Sequence, residues 1–119
     1  MTAPSNAPRL PAGFEALESF VDRFAVSGTA NRAALRGDTT EPERAAYHAA
    51  ASPLIGKALD QLDAKPLGQL DASERRLLDM CMSFAHIALA VEIQGPDEAR
   101  HATLRKHMII TRSPADAIA

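Results

Sequence analysis

Asp79, Ser83 and His86 are the side chains in this sequence best placed to do chemistry together. They sit four and three residues apart in "DMCMSFAH", and on an α-helix such steps put them on one face. A carboxylate, a hydroxyl and an imidazole in line could relay a proton or anchor a polar ligand. His86 would be the acid or base, since imidazole titrates near neutrality. The plainer reading is a narrow solvent-facing seam on a mostly buried helix. Cys81 lies in the same run, but a nucleophilic thiol needs a base or a positive helix end beside it. Its neighbours are apolar, so it is expected to be an inert core residue. Glu92 follows His86 by six residues, about 120° around a helix, and cannot readily share a ligand with it.

Glu98 and His101 form a Glu-x-x-His pair, the spacing used in carboxylate-bridged di-iron bundles. Such a centre needs two of these pairs and two further glutamates, and one pair in a short, exposed-looking segment does not supply it. His101 and His107 are six apart and do not converge. His48 falls with Ser52 on the polar side of its helix. The chain has no glycine-rich phosphate loop, no G-x-S-x-G elbow and no Cys/His set at zinc spacing. No metal, cofactor or catalytic set is expected.

Charge offers a weaker handle. The net charge is −2, too small to suggest a general polyanion partner. It is unevenly spread. Arg100, Arg105, Lys106 and Arg112 fall in an acid-free stretch, while residues 1–99 hold 9 basic and 14 acidic side chains. That segment could dock on an acidic partner or on the chain's own acidic body, and its plain reading is a solvated basic face. Nucleic acid is not an expected partner, because no basic recognition helix is present.

These residues must be carried by helices. Alanine fills 24 of 119 positions, tryptophan is absent, and four phenylalanines and one tyrosine are the only aromatics. Alanine is the best helix former, and strands favour β-branched and aromatic residues. The expected fold class is all-α, a small bundle of three to four main helices with extended N- and C-terminal arms. Residues 1–12, with Pro4, Pro8 and Pro11, form the first arm, 13–107 the bundle and 108–119 the tail. Residues 13–25 place Phe14, Leu17, Phe20 (or Val21) and Phe24 at the three- and four-residue spacing of an amphipathic helix. "ANRAALRGD" reads as a short helical turn ended by Gly37. Thr40 with Glu43, and Asp71 with Glu74, are capping boxes. Between them Tyr47, Ala51, Leu54, Ile55, Ala58, Leu59 and Leu62 make one stripe. At Pro53 the helix kinks or Ser52 caps a second helix with Pro53 at its first position, and the unbroken phase favours one kinked helix. The Asp71-capped helix runs to about Gln94, where Gly95-Pro96 stops it. A short last helix over 97–107 follows.

The N-terminus lacks a cationic head followed by an apolar stretch, and a single cysteine permits no internal disulfide. A cytoplasmic protein is expected. The apolar run Leu77–Ile93 spans 17 residues and holds Asp79, His86 and Glu92, which reads as too short and polar to cross a membrane.

"FEALESFVDRFA", "EPERAAYHAAASPLIGKALDQLD" and "KPLGQLDASERRLLDMCMSFAHIALAVEIQG" together resemble small uncharacterised helical bacterial proteins, often encoded among genes for aromatic-ring oxygenases and related catabolic enzymes. The resemblance spans roughly residues 14–96 and rests on apolar and capping patterns. It implies an accessory role beside a larger enzyme and assigns no functional residue.

The Asp71-capped helix is apolar on nearly every side, more than three helices of this size can cover. The expectation is therefore a non-enzymatic interaction protein, an accessory subunit or homo-oligomer, with Met80, Met82 and Phe84 as contact residues because thioethers suit adaptable surfaces. The alternative is a small-molecule-binding or weakly catalytic bundle with a pocket beside Tyr47, His48, Ser83 and His86.

Overall fold

The computed structural model describes residues 8–105, and among these there is no strand. The all-α expectation holds. A 3-10 segment Glu15–Phe20 leads into α1 (Val21–Phe24), followed by α2 (Thr29–Asp38), α3 (Glu41–Ala51) and α4 (Ile55–Asp63). The longest helix, α5 (Ala72–Ala88), continues through a π-helical segment Leu89–Gln94 and a 3-10 turn Gly95–Asp97 into α6 (Glu98–Arg105). Helices α1, α2, α3 and α4 all pack against α5, which is the centre of the bundle.

Both capping boxes form as the residue types require. Thr40 Oγ1 accepts from the Glu43 N–H at 3.2 Å, and the Glu43 carboxylate accepts from the Thr40 N–H at 2.9 Å. Asp71 and Glu74 make the same reciprocal pair, both bonds at 2.9 Å. Each satisfies two of the amides that a helix N-terminus leaves without partners. Helices α3 and α4 are one rod bent at Pro53, joined by a 3-10 turn over Ser52–Leu54. Proline removes the amide that would bond four residues back, and the tighter turn absorbs the loss.

The core gathers Phe14, Leu17, Val21 and Phe24 with Tyr47, Ala51, Ala58 and Leu62, all against Leu77, Met80, Cys81 and Ile87 of α5. Tyr47 is its hub. Its ring stacks on Phe24 at 4.0 Å, meets Phe84 edge-on at 6.2 Å, and its buried hydroxyl donates to the Met80 carbonyl at 2.7 Å. Burial, then proximity to Cys81, pushes the phenol pKa far up, so it stays protonated.

Three sequence expectations are corrected. "ANRAALRGD" is not a short turn closed by Gly37. It is a ten-residue helix running through Gly37. Its end is held by Arg44, which donates to the Thr39 carbonyl and, at 3.3 Å, to that of Arg36. The N-terminal stretch is not a free arm over its described residues. Leu10 is buried, and the Arg9 and Leu10 amides donate to the Glu18 carboxylate at 2.8–3.1 Å. Met80, expected as a contact residue, lies in the core. The 108–119 tail lies outside the described residues.

The end of α5 also differs. The helix was expected to run regularly to Gln94, but its last six residues are π-helical, and the Gly95 amide reaches the Ala90 carbonyl five residues back. Pro96 has no N–H for the carbonyl four residues before it, and its ring crowds that turn. Gly95 takes φ +50°, ψ −124°, a region closed to residues with a side chain. Counted through these segments, Ala72–Arg100 is a 29-residue helix, long and apolar enough by length and composition to cross a membrane, with an 18-residue stretch of mean hydropathy 1.4. It therefore outruns the 17-residue apolar run. One side of it packs into the core, but only 28% of that apolar stretch is buried in the bundle.

Tyr47→Phe should lower unfolding free energy by about 1 kcal/mol, the worth of one hydrogen bond. Gly95→Ala should cost about 1–3 kcal/mol through backbone strain. Urea titrations followed by circular dichroism read both.

Candidate functional site

The polar groups expected to form one stripe on α5 serve three different purposes. Asp79, near the start of the stripe, accepts from Ser27 Oγ at 3.0 Å and lies 3.5 Å from Arg32 Nη1. Ser83, one turn on, is wholly buried, and among the described residues its hydroxyl has no hydrogen-bond partner. It does not belong to a solvent-facing seam. His86 is half-buried and has a partner of its own. Burial raises the Asp79 pKa, partly offset by Ser27 and by the charges of Arg32 and Arg75.

His48 and Glu92 meet instead. His48 Nε2 lies 2.7 Å from Glu92 Oε2, and the imidazole stacks on Phe84 at 5.3 Å. This ties α3 to the π segment. The sequence placed His48 on the polar side of its helix and gave no sign of a carboxylate 44 residues away. Phe84 and His86 are two residues apart, about 200° around the helix, so His48 and His86 sit on nearly opposite sides of α5. Tyr47, meanwhile, spends its hydroxyl on Met80. The four groups assigned to a pocket do not converge.

A second polar cluster was missed entirely. Arg32 and Arg36, one turn apart on α2, point into the protein. Arg36 holds Glu98 by three hydrogen bonds of 2.9–3.2 Å, and Glu98 is 1% exposed. The sequence reading put Glu98 in an exposed segment beside His101, but its carboxylate is turned inward and committed to arginine. The one available signal was Arg32 and Arg36 flanking Leu35 at core-facing spacing. Among the described residues no group of three or more His, Cys, Asp or Glu could hold a metal ion. The Cys81 thiol is buried, its pKa pushed up to about 11, which keeps it in the unreactive thiol form.

The remaining feature is an apolar surface. Leu89 is 50% and Ile93 69% exposed, and both extend a row on α5 that includes Leu78, Met82 and Ala85. Steps of three and four residues keep these on one face. Of the other expected contact residues, Met82 is on this face and Phe84 is on the far side against His48 and Tyr47. In the basic segment Arg100 is exposed and Arg105 closes α6, while Lys106, His107 and Arg112 lie outside the described residues. No family model, curated protein or solved structure matches this chain.

Removing one member of the Arg36–Glu98 pair leaves a buried, uncompensated charge. Arg36→Met should cost about 3–5 kcal/mol, and Arg36→Met/Glu98→Leu much less, because the double variant buries no ion. Chemical denaturation of the two variants checks this. A raised carboxylate pKa in the folded state favours folding with the proton on. That contribution is complete below the unfolded value near 3.8 and is lost as pH rises through the higher folded value. Wild type should therefore gain stability relative to Asp79→Asn as pH falls from about 7 toward about 4, measured by thermal melts across that range.

Proposed function

We propose that this chain is a non-enzymatic interaction protein that presents the Leu78–Ile93 face of its central helix to a protein partner. One observation carries the reading. Among the described residues, the helix long and apolar enough to pass for a membrane span has only 28% of its apolar stretch buried, and Leu89 and Ile93 stand out from it. Large contiguous apolar surface is disfavoured on an isolated globule and commonly marks a binding surface. Single exposed residues need no such account, but here they fall in register along one face. The chemistry points the same way. Tyr47, His48, Asp79 and Glu98 are engaged in internal contacts, and the thiol is buried. The resemblance to small proteins encoded beside catabolic enzymes makes an accessory subunit of a larger enzyme one form of such a partner.

The test is site-specific photocrosslinking in the native host, with a benzophenone amino acid replacing Ile93. A control carries it at Asp60, which is exposed on α4. One discrete adduct from position 93 and none from position 60 is the expected result. Equal or absent labelling at the two positions would overturn the reading.

A further inference from the structure

We draw no further inference here: the strongest candidate, the apolar surface patch of Ala85, Leu89 and Ile93 on the central helix α5, belongs to the face already described, and nothing in the structure shows what covers it.

Discussion

The rest of this structure depends on covering one helix that is apolar almost all the way round. Helix α5 supplies Leu77, Met80, Cys81 and Ile87 to the core, and α1 to α4 lie against it. Four short helices cover only part of that circumference. Burial of apolar surface is the main favourable term in folding, so the sector left over is where the molecule retains most to gain from association. The bent α3–α4 rod takes one flank, α2 another, and the described residues leave Ala85, Leu89 and Ile93 exposed.

Two polar devices organise the covered side. Arg36 and Glu98 tie α6 back onto α2, and Glu98 could not be buried as an ion without that partner. His48 and Glu92 pin the π segment to α3 while Phe84 carries the imidazole. With Glu92 committed at the covered flank, the widened turn leaves Leu89 and Ile93 on the open side. The change of helical register thus has a consequence for the surface: the apolar row continues past the point where α5 stops being a regular helix.

Much of this could be read in the sequence because it is local. Thr40 with Glu43, Asp71 with Glu74 and the break at Pro53 each need only a few neighbouring residues. At Gly95, by contrast, the regular helix had already given way to a π segment, and the chain runs on into α6. The buried stripe from Tyr47 to Leu62 was visible in its period, although Leu59 turned out exposed. What was missed joins distant positions. Arg36 and Glu98 are 62 residues apart, His48 and Glu92 are 44 apart, and neither pair leaves a trace in local spacing. Arg32 and Arg36 flank Leu35 at core-facing spacing, but nothing local names the distant partner that lets Arg36 be buried. Ser83 was grouped with Asp79 and His86 by period alone. A 3-4 step sets direction on the helix but not which neighbour covers it.

The excess of apolar residues on α5 was legible, and the structure shows where on that helix the other described residues leave it uncovered. Light scattering of the protein isolated under gentle conditions from its native host tests its consequence most directly. The expected result is a mass above the 12.7 kDa of one chain, with Ile93→Asp held at the single-chain mass. A wild-type chain that stays at 12.7 kDa, indistinguishable from the variant, would contradict association through this face.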